Sequence, residues 1–142
     1  VFIMNIEQLG RHILVEYYNC DKELLKDHEA IEKHMNQAAL EANATIVTSC
    51  FHKFNPWGVS GAVIIQESHL TIHTWPEYGY ASVDLFTCGD SVNPWKGFKY
   101  LEKALSADRS ESTEVSRGLV DKIRTFGNGE YNNLTITHKM EV

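Results

Sequence analysis

The sequence predicts an α+β fold: a two-layer sandwich of a mainly antiparallel β-sheet with two helices on one face. Three observations lead there. Short β-branched and aromatic runs recur between residues 12 and 88. Two stretches carry apolar residues at helical spacing. The links between the later strands are short enough for hairpins. The 142 residues suffice for one core but not for two, so 1–142 is expected to form a single domain.

The expected order is β-α-β-β-β-β-α. His12 to Tyr18 opens it as a strand. From Asp21 to Ala42, the positions Leu24, Leu25, His28, Ile31, Met35, Ala38, Ala39 and Ala42 lie along one side of a helix, with Asp21 as its N-cap. A strand follows at 44–52, and Asn55-Pro56-Trp57-Gly58 then marks a loop. Strands are expected at 59–65, 69–75 and 81–88, joined at Gln66-Glu67 and across Pro76–Tyr80. Asn93-Pro94 reads as a cap and first-turn proline of a second helix, which aligns Trp95, Phe98, Leu101 and Leu105. Beyond Ser106 the chain turns polar, and 125–133 reads as a loose loop.

Charge and cysteine usage narrow the function. A net charge of −6 is the wrong sign for a nucleic-acid surface. The apolar opening, Val1-Phe2-Ile3-Met4, is too short for a signal core or a membrane span, so no membrane partner is expected. Cys20, Cys50 and Cys88 are odd in number and form no C-x-x-C pair, which favours reduced thiols in the cytoplasm. Seven histidines raise the question of metal. However, no H-E-x-x-H occurs, and His69 and His73, four apart, sit in a strand-like run; no metal site is expected.

The segment from Glu67 to Glu77 is unusually rich in ionisable and nucleophilic groups for a strand. A two-residue turn at Gln66-Glu67 sets Ile65 opposite Ser68 and Ser60 opposite His73. If the next turn centres on Tyr78, Ser68 falls opposite Cys88. Opposed residues have Cβ atoms about 5 Å apart. Two polar pairs therefore emerge, Ser60 with His73 and Ser68 with Cys88. Ser68 and His73 are five residues apart on one strand, about 17 Å, and face opposite ways. One protomer does not bring them together, whereas a two-fold dimer sharing its sites between subunits does.

Glu67-Ser68-His69-Leu70-Thr71-Ile72-His73-Thr74-Trp75-Pro76-Glu77, followed by Val83-Asp84-Leu85-Phe86-Thr87-Cys88-Gly89, closely resembles the prokaryotic S-adenosylmethionine decarboxylase proenzymes. Ala44-Thr45-Ile46-Val47 and Gly58-Val59-Ser60-Gly61 share the likeness, which runs from about Leu9 to the helix ending near Leu105 and finds no match from Ser106 onward. The resemblance implies a chain that cuts itself between Glu67 and Ser68, giving a β chain of 1–67 and an α chain of 68–142.

By that resemblance, Ser68 attacks the Glu67 carbonyl and ends as a covalent pyruvoyl group, the site of a Schiff base with substrate. Neither pyridoxal phosphate nor metal is implied. His73 is the proton acceptor in processing, Ser60 assists it, and Cys88 is the proton donor in decarboxylation. Phe54 resembles the aromatic that stacks on adenine and Glu77 the carboxylate that accepts from both ribose hydroxyls. The substrate implied is S-adenosylmethionine, and the product is the aminopropyl donor for spermidine. Two alternatives stay open: an arginine decarboxylase of the same family, and a non-catalytic homologue serving as a binding or regulatory subunit.

Overall fold

Hairpins and two long-range antiparallel pairings of one strand build the central sheet. In the computed structural model the backbone is described for residues 3–134 and 138–141, and the side chains for residues 7–134. The chain runs through β1 (Ile3–Ile6), β2 (Gln8–Tyr18), α1 (His28–Glu41), β3 (Ile46–Lys53), β4 (Val59–Ile65), β5 (Ser68–Trp75) and β6 (Tyr80–Cys88). It continues through α2 (Pro94–Ala104), β7 (Arg109–Leu119), α3 (Val120–Phe126) and β8 (His138–Glu141). Six strands form an antiparallel sheet in the order β3-β4-β5-β6-β2-β7, and β1 pairs separately with β8.

Strand periodicity separates the two faces of the sheet. Along β5, Leu70, Ile72 and Thr74 are buried, whereas His73 and Trp75 are exposed. Ile13, Val15, Tyr17, Val83 and Leu85 join Leu70 and Ile72 on the covered face. The helices α1 and α2 close it with Ile31, Met35, Ala38, Phe98 and Leu101, all in one apolar cluster. The Tyr17 hydroxyl donates to the Phe98 carbonyl at 2.7 Å, tying β2 to α2 inside that core. The two-layer α+β architecture is therefore as the sequence implied, with both long helices on one face.

Several boundaries differ, each for a local reason. The helix expected from Asp21 begins later: Asp27 caps α1 by accepting from the Ala30 amide at 3.1 Å. Asp21 instead accepts from the Glu23 and Leu24 amides ahead of a short 3-10 turn at Leu24–Lys26. Asn93 and Pro94 start α2 as expected, with Asn93 Oδ1 accepting from the Trp95 amide at 3.2 Å. The polar stretch after Ser106 is not a structureless tail. It supplies β7, an edge strand whose residues are mostly exposed and therefore carry no apolar alternation. Part of the expected loop at 125–133 is the end of α3.

The turn between β5 and β6 corrects the expected register. A 3-10 turn at Pro76–Tyr78 ends at Gly79, whose left-handed conformation (φ 61°) lets its amide reach the Pro76 carbonyl at 3.1 Å. Trp75 then faces Tyr80, so the turn centres half a residue earlier than expected. Ser68 consequently lies opposite Thr87, and not opposite Cys88. The β4–β5 register has Ile65 opposite Ser68 and Ser60 opposite His73, as the sequence implied.

Candidate active site

The Glu67–Ser68 bond lies in the β4–β5 turn and is held from three sides. The Gln66 amide donates to the Thr45 carbonyl at 2.9 Å, and Glu67 Oε1 accepts from the Thr45 amide at 3.1 Å. The Cys88 amide donates to the Glu67 carbonyl oxygen at 2.9 Å. Ser68 has φ 150°, a conformation L-residues rarely adopt. A residue held so far from its preferred wells stores about 1–3 kcal/mol of strain, and such strain concentrates at functional positions. The peptide bond ahead of this serine thus combines an N–H donor on its carbonyl with a strained residue on its far side.

Cys88 reaches this bond through its backbone, although its side chain does not face Ser68 across the strands. By strand alternation it shares the uncovered face with Asp84 and Phe86, and its thiol is exposed. Cys20 differs: burial, with the nearby charge of Asp108, pushes its thiol up to about 11. That leaves it a neutral core residue at ordinary pH.

His73 and Ser60 lie at the other end of the uncovered face. Ser60 Oγ and His73 Nδ1 share a hydrogen bond of 2.8 Å, the pairing the register implied. Thr74, next to His73, anchors this end. Its hydroxyl accepts from the Val59 amide at 2.8 Å and donates to the Leu25 carbonyl at 2.9 Å. Strand alternation points Ser68 and His73 to opposite faces, so within one protomer they stay about 17 Å apart.

Near His73, the β3–β4 loop and the turn after β5 supply Phe54, Trp57 and Glu77. Phe54 is 47% exposed and meets His52 edge-on, with ring centroids 4.6 Å apart. The Trp57 indole N–H donates to Glu77 Oε2 at 3.1 Å, and the Lys26 ammonium sits 5.4 Å from the Trp57 ring. One lone pair of the Glu77 carboxylate is therefore taken, leaving Oε1 and the second lone pair of Oε2 for other donors.

Between the two ends runs a polar network the sequence did not reveal, because its members come from separate strands. Asp84 accepts from Thr71 and from His12, and His69 Nε2 lies 3.6 Å from the same carboxylate. Burial opposes the charge on Asp84, but the hydrogen bonds from Thr71 and His12 and the nearby His12 and His69 outweigh it, holding its carboxyl below the usual range. Donor atoms of His12, His69 and Asp84 lie within 4.8 Å of one another, close enough to suggest a metal site. The far side of His12 argues otherwise. Arg117 Nη1 approaches His12 Nδ1 at 3.0 Å, and a guanidinium can only donate, so Nδ1 accepts and Nε2 carries the ring proton. That proton occupies the position from which a metal would be held.

A strained serine at a turn, a donor on the preceding carbonyl and, at the far end of the sheet, a Ser–His pair make up the candidate site. The model of the family described as S-adenosylmethionine decarboxylase matches residues 11–118. The chain belongs to the S-adenosylmethionine decarboxylase family. The S-adenosylmethionine decarboxylase proenzyme of Thermosipho melanesiensis is 57% identical over 137 residues, which is 96% of this chain and 100% of that one. The proenzyme of Fervidobacterium nodosum is 61% identical over 118 residues, 83% of this chain and 86% of its own. The crystal structure of the adenosylmethionine decarboxylase from Aquifex aeolicus superposes with a TM-score of 0.73 at 36% identity, covering 79% of this chain and 92% of that one. The family match reaches Gly118 and so includes nearly all of β7, which corrects the expectation that the likeness ends near Leu105.

Proposed function

We propose that this chain is a self-processing decarboxylase of S-adenosylmethionine, a single domain that cuts itself into 1–67 and 68–142. One observation carries the reading: the Glu67–Ser68 bond has the Cys88 amide on its carbonyl oxygen and a residue with φ 150° beyond it. Attack by Ser68 Oγ on the Glu67 carbonyl carbon places negative charge on the oxygen that Cys88 N–H already contacts. The hydroxyl proton passes to the Ser68 nitrogen as the C–N bond breaks, which frees the Ser68 amine and leaves the Glu67 acyl group as an ester on Oγ, and departure from φ 150° relieves strain. His73, oriented by Ser60, removes the Ser68 α-proton; the Cβ–O bond breaks and Glu67 leaves as a carboxylate. Water then replaces the amine of the dehydrated residue, releasing ammonia and creating the pyruvoyl group at residue 68.

That group, attached to the α chain, supplies the electron sink for loss of carbon dioxide. The chain's own residues bind and protonate. Phe54 offers an exposed ring to the adenine, and Glu77 accepts from the ribose hydroxyls with the lone pairs Trp57 leaves free. The Cys88 thiol gives a proton to the substrate carbon that loses its carboxylate. The comparative test is carbon dioxide release from S-adenosylmethionine and from arginine under the same conditions. Release from the nucleoside substrate alone supports the reading; release from arginine alone, or from neither by a chain that stays uncut, overturns it.

Because Ser68 and His73 do not meet within one protomer, the working enzyme is a homodimer with sites shared between subunits. The uncovered face of the sheet, which carries the side chains of Ser60, His73 and Cys88 but not that of Ser68, offers a partner an apolar surface. It exposes Leu14, Ile64, Trp75 and Val115 around the Asp84 network. Co-refolding a Ser68→Ala chain with a His73→Ala chain should restore one site per mixed dimer and so measurable cleavage and activity. No restoration would count against shared sites. The free thiols of Cys20, Cys50 and Cys88 fit a reducing compartment such as the cytoplasm, and no helix among the described residues is long and apolar enough to cross a membrane.

A further inference from the structure

The residue that does face Ser68 across β5 and β6 is Thr87, and its hydroxyl is unusual. Thr87 is only 1% exposed, and among the described residues its Oγ1 has no hydrogen-bond partner. A buried hydroxyl without a partner costs about 1–3 kcal/mol, so a chain that keeps one is using it for something other than static stability. Valine has nearly the same shape and would fill the position without that cost. The neighbours point to the use. Directly opposed side chains have Cβ atoms about 5 Å apart, which puts Thr87 Oγ1 within reach of Ser68 Oγ after a change of rotamer. The next residue, Cys88, holds the Glu67 carbonyl through its amide, so β6 presents one group to each partner in the expected attack.

We propose that Thr87 is a positioning residue for self-cleavage: its hydroxyl accepts a hydrogen bond from the Ser68 hydroxyl and turns Oγ toward the Glu67 carbonyl carbon. The inference rests on the reading that the chain cuts itself at Glu67–Ser68, and it adds a residue to that step. A nucleophile held in the attacking rotamer has already lost the torsional freedom it would otherwise lose at the transition state. Oγ1 finds its partner as the serine swings into place, so the unmet hydrogen bond of the resting chain becomes a bond in the reacting one. Thr87 takes no proton and forms no covalent bond.

The test separates positioning from structure, because the two roles move different quantities. In Thr87→Val the buried hydroxyl becomes a methyl, so thermal stability should hold or rise. The rate at which the full-length band converts to two fragments should nevertheless fall about tenfold, the worth of one hydrogen bond in the attacking geometry. Thr87→Ser keeps the hydroxyl and should cleave near the wild-type rate. Wild-type cleavage with equally fast Thr87→Val cleavage would overturn this inference alone. So would slow cleavage that tracks a lowered melting temperature and is not rescued by serine. A wild-type chain that never cleaves would overturn the underlying reading as well.

Discussion

Ser68→Ala should leave the chain as one uncut species of 16.2 kDa with no decarboxylase activity, checked by denaturing gel and carbon dioxide release. The loss is complete, not partial, because two functions end at one atom. Without Oγ no ester forms at Glu67, and without the ester no electron sink is generated at residue 68. The strain at this position predicts a second, independent effect. Alanine keeps a Cβ at φ 150° and retains the cost, whereas Ser68→Gly removes it. The glycine variant should be equally uncut yet more stable than the alanine variant by about 1 kcal/mol in urea unfolding. Equal stabilities would show that the backbone at Ser68 is not strained in solution.

Cys88→Ala should divide the two reactions. The contact that Cys88 makes with the Glu67 carbonyl belongs to its backbone, which alanine preserves, so fragments 1–67 and 68–142 should appear at close to the wild-type rate. Decarboxylation loses the proton donor proposed for it and should slow by about 10²–10⁴-fold, the usual worth of a positioned acid. Retained turnover in Cys88→Ala would remove the thiol from the proposed chemistry. Loss of cleavage with retained fold would mean that the side chain, and not only the amide, serves the first reaction.

How far the fold was legible follows from which residues face the core. The strands β4, β5 and β6 and the helix α2 showed plainly, because each alternates or repeats apolar residues that end up against one another, as Leu70, Ile72, Val83 and Leu101 do. The edge strand β7 was hidden, since its exposed positions impose no such pattern and its pairing with β2 is made by the backbone. The Ser60–His73 pair was legible because a two-residue turn fixes the β4–β5 register. The partner of Ser68 was not. A left-handed Gly79 closing a 3-10 turn displaced Cys88 in favour of Thr87, and a one-residue change is enough to move a side chain to the other face. Sequence spacing could not expose the Asp84 network either, because His12, His69 and Arg117 meet only after β2, β5 and β7 are arranged around β6.

The mass of the fragment that begins at residue 68 tests the central claim most directly. Purified wild-type protein should contain a fragment ending in a free Glu67 carboxyl and a second, blocked to amino-terminal sequencing, that is lighter than a serine-initiated 68–142 by one molecule of ammonia. A fully active, folded enzyme with its Glu67–Ser68 bond intact would contradict the account, as would an active enzyme whose second fragment starts with an unmodified serine.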